Sequence, residues 1–228
     1  MTEYRQHRFT PPDGATEMLI IRHGESQPAN PDAPFPLVDG QGDPALSPTG
    51  EDQAELLAGR LADAGIQAIY VTNLRRTAQT AAPLAARLGL EPQVEKDLRE
   101  VHLGDWEGGL FRKHVAEEHP LAVRMREEER WDAIPGAEPA EALAARVRGA
   151  IDRLAAANPG RRIAAVVHGG IIAEIFHQAA GSRPFAFQGA DNASISHLVV
   201  TGGRRVIRCF NDTTHLTRSF STAAKPLT

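Results

Sequence analysis

Two short stretches of this 228-residue chain put a histidine where a hydrophobic core gains nothing from it: "MLIIRHGES" around His23 and "IAAVVHGG" around His168. Each is an apolar, partly β-branched run that stops abruptly in His-Gly. In an open parallel sheet, ligands bind just beyond the carboxyl ends of the strands, where the next loop or helix presents free N–H groups. Both imidazoles stand at such ends. Gly24 and Gly169, which follow them, carry no side chain to keep a ligand off the backbone. A helix running on from Gly170 would aim its positive end at whatever sits beside His168. Arg22 adds a guanidinium next to His23, so the natural guest is an anion. A phosphate fits the set: guanidinium forks pair its oxygens bidentately, and a neutral imidazole nitrogen can attack phosphorus. Phosphoryl transfer needs mainly positioning and charge neutralisation. His102, His114, His119, His177, His197 and His215, taken singly, read as ordinary polar residues; repetition sets His23 and His168 apart.

The elements that hold these residues follow from hydrophobic periodicity. Short apolar runs predict strands at 18–21, 68–71, 93–95, 163–167, 195–200 and 205–210. A first helix opens at "LSPTGEDQAELLAGRLADAG", with Ser47 as cap, Pro48 in the first turn, a stripe of Ala54, Leu57, Leu61 and Ala64, and Gly65 as stop. Further helices are predicted over 74–88, 140–157 and 171–179. Strand-then-helix repetition with buried-looking strands implies an α/β fold: a mostly parallel central sheet covered by helices on both faces. The last two strands, joined through "TGGR", form a hairpin that adds an antiparallel edge. Residues 111–138, rich in Arg and Glu, read as a helical insertion over the sheet, and residues 1–228 as a single domain with a flexible lead-in at 1–16 and a tail at 217–228.

Composition narrows the function classes. A hydrophobic fraction of 42%, a charged fraction of 24% and a net charge of -4 describe an ordinary globular chain with no electrostatic reason to bind nucleic acid or a membrane surface. One cysteine, Cys209, gives no disulfide framework and no thiolate metal cluster, which fits a reducing cytoplasm. The N-terminus lacks the layout of a secretory signal.

Five fragments in order, "LIIRHGES", "DPALSPTGEDQA", "YVTNLRRTAQTA", "LREVHLGDWEG" and "VVHGG", resemble the histidine phosphatase superfamily in its phosphoglycerate-mutase-like branch, across residues 18–210. The resemblance implies that His23 is the nucleophile that becomes phosphohistidine and that Arg22 and Arg76 bind the transferred phosphate. Arg76, rather than its neighbour Arg75, is selected by counting back from "QT", which leaves Arg75 at the surface. The same comparison makes Glu100 the proton donor, His168 the second histidine on the phosphate and Ser26 a hydroxyl that helps hold it. Trp106 reads as packing. No metal and no cofactor are implied, and the partner is a small phosphorylated substrate, with a homodimer left open.

The sequence also departs from the family. An asparagine often stands six residues after the nucleophile, whereas Asn30 is seven after His23 in a rebuilt loop over 27–43. "EVHLGDWEGG" lacks the tyrosine-glycine pattern and the downstream lysine that the mutases use to hold phosphoglycerate, so the expectation is a metal-independent, acid-type phosphomonoesterase. The alternatives are a phosphoglycerate mutase and a phosphate-binding module without turnover. Arg112, Arg124 and Arg126 are candidates for contacting a second anionic group. Glu174 and His177 have an i, i+3 metal spacing without the companion carboxylates of a bundle site and read as coincidence. Cys209 has no phosphate loop after it.

Overall fold

The computed structural model describes residues 3–216. The run ending in Arg22 is a strand, β1 (Thr16–Arg22), whose side chains alternate between two cores: Met18 and Ile20 on one face, Leu19 and Ile21 on the other. A small hairpin, β2 (Leu37–Val38) and β3 (Gln41–Gly42), follows in the rebuilt loop. Then come α1 (Pro48–Leu61), β4 (Ala68–Val71), α2 (Arg75–Leu88) and the short β5 (Gln93–Val94). The insertion carries α3 (Leu110–Ala116) and α4 (Pro120–Glu128) among short 3₁₀ turns. The chain closes with α5 (Ala140–Ala157), β6 (Arg162–Val167), α6 (Gly169–Ala180), β7 (Ile195–Thr201) and β8 (Arg204–Asp212).

The main sheet has the order β5-β4-β6-β1-β7-β8, with β5, β4, β6 and β1 mutually parallel and β7 antiparallel to both β1 and β8. The expected hairpin therefore forms, and its first strand lies inside the sheet, between β1 and the edge strand β8. Leu57, Leu61, Ala81 and Leu84 from α1 and α2 bury against one face. Val147, Ile151, Ile172 and Phe176 from α5 and α6 bury against the other, together with Trp106 and with Met125 and Trp131 from the inserted region.

Local chemistry sets the element ends. Ser47 Oγ accepts the Gly50 amide at 3.1 Å and caps α1 as expected. The helix itself ends at Leu61, and Gly65, at φ 69, turns the chain four residues later on its way to β4. Gly89 (φ 63) and Gly181 (φ 62) close α2 and α6 in the left-handed region. The lead-in gives way to β1 already at Thr16, whose Oγ1 is buried and donates to Asn158 O at 2.7 Å. The tail at 217–228 lies outside the described residues.

Candidate active site

The parallel order β4-β6-β1 brings three strand ends side by side. Arg22 pairs in register with Val167, so His23 and His168 are the next residues out from adjacent strands. Their rings lie 5.2 Å apart, edge to face, and both are buried. Thr72 follows the end of β4, and its Oγ1 is 3.0 Å from His168 Nε2. This places the two histidines together, as their shared strand-end position predicts.

The ring of His23 is fixed in one tautomer. Its Nδ1 lies 2.7 Å from Gly24 O, a carbonyl that can only accept, so Nδ1 carries the proton. Its Nε2 lies 3.2 Å from Arg76 Nε, a group that can only donate, so Nε2 presents a lone pair. Burial, reinforced by the charges of Arg76 and Arg22, pushes the His23 pKa well below the ordinary histidine range and keeps the ring neutral. His168 is held down by burial first, then by Arg76. Its Nδ1 is buried without a partner among the described residues, a polar group shaped for something that is not protein.

Guanidinium groups surround this pair. Arg76, at the start of α2, also donates to Gly42 O at 2.9 Å, and burial brings its pKa down to about 10. Arg22 Nη1 donates to Ala190 O at 2.6 Å. Arg112 from α3 donates to Ser26 Oγ at 2.7 Å and to Gln27 O at 2.8 Å, and its charge is felt by Arg22, Arg76 and His23 alike. Of the three outlying arginines named from sequence, Arg112 joins the site; Arg124 is exposed and paired with Glu128 at 2.7 Å, and among the described residues nothing links Arg126 to the site. Arg75 stays at the surface, as expected, and its Nε donates to the buried Asp43 carboxylate at 2.7 Å.

Glu100 faces the same cleft. Its carboxylate takes the Val101 amide at 2.9 Å and the Gly170 amide at 3.4 Å, so the N-terminus of α6 points at a carboxylate of the protein itself. Burial raises its pKa, and this outweighs the lowering by those amides, Arg76 and Arg22. The glycines that follow the histidines have separate structural reasons. A Cβ on Gly24 would meet Gly50 O at 2.6 Å, so this glycine admits the first turn of α1 rather than a ligand. At Gly169 the nearest atom is Arg22 Nε at 3.4 Å, within the site itself.

Asn30 stays outside the cluster: its Oδ1 accepts the Asp32 amide at 3.0 Å in a local turn, and the residue is exposed. Trp106 packs, as expected, against the rings of Phe111, His114 and His119. Glu174 binds Gln178 Nε2 at 2.6 Å, and among the described residues no three His, Cys, Asp or Glu groups gather as a metal site. Sequence reasoning missed Thr72, Gln41, which donates to Glu100 O at 2.7 Å, and Asn192, which donates to His23 O at 3.0 Å. The strand-end rule that found the histidines finds Thr72 when applied to β4; Gln41, in the two-residue strand β3, and the loop residue Asn192 carry no such signal.

A family model of the histidine phosphatase superfamily (branch 1) matches residues 18–213. Phosphoglycerate mutase-like protein 4 of Arabidopsis thaliana is 32% identical over 207 residues, 88% of this chain and 86% of that protein. Phosphoserine phosphatase 1 of Hydrogenobacter thermophilus is 30% identical over 215 residues, 92% of this chain and 99% of that one. Among solved structures, a mycobacterial glucosyl-3-phosphoglycerate phosphatase superposes with a TM-score of 0.73 at 30% identity, covering 87% of this chain and 100% of its own.

Proposed function

Because the chain belongs to the histidine phosphatase superfamily (branch 1), we propose that it hydrolyses a small phosphate monoester through a phosphohistidine at His23. The observation that carries this reading is the tautomer of His23, with Nδ1–H tied to Gly24 O and the Nε2 lone pair turned toward Arg76. In the first step Nε2 attacks phosphorus while Nδ1–H, already bonded to a carbonyl, steadies the positive charge that develops on the ring. Arg22, Arg76 and His168 Nδ1 take the transferring oxygens, with Ser26 and Arg112 beside them. Glu100, protonated, gives its proton to the departing alkoxide. In the second step the Glu100 carboxylate takes a proton from water, which attacks phosphorus and breaks the P–N bond, returning His23 to its neutral form. Guanidinium groups meet the charge of the phosphate, and no divalent ion enters the scheme.

Arg112 is the cation available for a second anionic group on the substrate, on the side of α3. Phosphoserine and glucosyl-3-phosphoglycerate, named for the two phosphatases above, each carry a carboxylate besides the phosphate and head the panel of esters to be tried. The competing reading, isomerisation of phosphoglycerate, shares the nucleophile and differs in the fate of the phosphoenzyme. Incubation with 3-phosphoglycerate and a bisphosphoglycerate primer separates them: the hydrolase reading expects inorganic phosphate and little 2-phosphoglycerate. Rapid formation of 2-phosphoglycerate with little phosphate release would overturn it.

A further inference from the structure

The main chain that carries Glu100 is held by a side chain far away in sequence. Arg146, in the second turn of α5, uses all five of its guanidinium N–H groups. Nε and Nη2 grip both oxygens of Glu138, at 2.6 and 2.7 Å. The remaining N–H groups go to three carbonyls in the segment leading to Glu100: Asp97 O at 2.7 Å, Arg99 O at 2.8 Å and Glu100 O at 3.1 Å. Glu138 completes the clamp on the far side, where its own amide donates to His102 O at 2.9 Å. The pair is nearly buried, with side-chain exposures of 10% and 13%. Only a planar fork can serve a carboxylate and three carbonyls at once, which a lysine ammonium cannot.

We infer that Arg146, braced by Glu138, is a positioning residue for proton transfer by Glu100: it fixes the peptide from which the carboxyl reaches the leaving group. This rests on the acid role proposed for Glu100. Its consequence is selective. A displaced Glu100 harms esters that need a proton on departure, such as an alkyl phosphate, and spares p-nitrophenyl phosphate, which leaves as a stable phenolate.

The test compares kcat/KM on both esters for Arg146→Lys, Arg146→Met and the double variant Arg146→Met/Glu138→Leu. The double variant removes both buried charges, a change that folds tolerate far better than leaving one unpaired. In all three, turnover of the alkyl ester is expected to fall by about 10–10², the scale of a misplacement of order 1 Å, with much less change on p-nitrophenyl phosphate. An equal loss on both esters, or no loss in folded double variant, overturns the inference. Glu100→Gln, run alongside, tells the two failures apart. If it lowers the alkyl ester selectively and the Arg146 variants do not, the clamp is wrong and the acid stands; if it is unselective, the acid assignment itself fails.

Discussion

The proposed mechanism requires Glu100 to give a proton and then to take one, and its surroundings suit both duties. Burial holds its pKa above the ordinary carboxyl value, so the protonated form persists to higher pH, while two amides and two arginines keep the ionised form accessible. His23 is displaced the other way, by burial and then by Arg76 and Arg22, so acidification leaves the nucleophile neutral until well below the ordinary histidine range. The signs combine to one expectation: kcat/KM on alkyl esters holds through acidic pH and falls on the alkaline side as Glu100 ionises. Glu100→Gln should cut alkyl ester turnover by about 10²–10⁴ and remove that alkaline fall, while p-nitrophenyl phosphate still gives a burst of nitrophenolate as phosphoenzyme accumulates. Steady-state and stopped-flow kinetics on the two esters check this; equal losses and no burst would make Glu100 a structural carboxylate. At this scale the sequence was legible where a residue type was improbable for its position. A histidine at a strand end is such a residue, twice over. Glu100, Arg76 and Ser26 were reachable only through the five-fragment resemblance, because a carboxylate, an arginine and a serine are unremarkable at any exposed position. Arg112 was named only as one of three candidates for contacting a second anionic group, and only the fold brings it to Ser26.

The first turn of α6 shows why the element around a catalytic group is as constrained as the group. A Cβ on Gly170 would lie 2.7 Å from Glu100 Oε1, 2.8 Å from Val101 Cγ2 and 3.2 Å from Trp131 Cζ2. At Gly169 the three nearest atoms all belong to the Arg22 side chain, at 3.4 Å and beyond, within ordinary contact. Gly170→Ala is therefore expected to destabilise by about 1–3 kcal/mol through overpacking and to depress alkyl ester turnover by displacing the Glu100 carboxyl. Gly169→Ala should stay within about 0.5 kcal/mol of the parent. Urea melts of the two variants read this difference, and equal stabilities would contradict the close packing of helix on carboxylate. The helices and parallel strands were readable because period and caps agreed: α5 spans the predicted residues, and α2 begins one residue late. The two-residue strands β2 and β3 were invisible, since two residues carry no period, and so was the placement of β7 between β1 and β8, which depends on tertiary pairing. Arg75 lies at the surface as expected, and what nothing in "NLRRTAQT" announces is the buried Asp43 that receives it.

Across the whole molecule, three parallel strands deliver Thr72, His168 and His23 to one edge, and helices from both faces converge there: α2 with Arg76, α6 with its amides, α3 with Arg112. The inserted region, which the sequence announced only as a charged, helical interruption, adds α3 and closes the far core with Met125 and Trp131 beside Trp106. No helix among the described residues is long and apolar enough to cross a membrane. The proposed nucleophile and the cationic groups around it are all side chains of this one chain, and the proposal is that they suffice. The most direct test is to mix enzyme and ³²P-labelled ester in excess EDTA, quench in base and map the label. The expected result is a base-stable, acid-labile phosphoramidate on the peptide containing His23, full turnover in EDTA, and neither label nor turnover in His23→Ala. Label at another residue, activity of His23→Ala within tenfold of the parent, or a loss in EDTA restored by a divalent ion would contradict it.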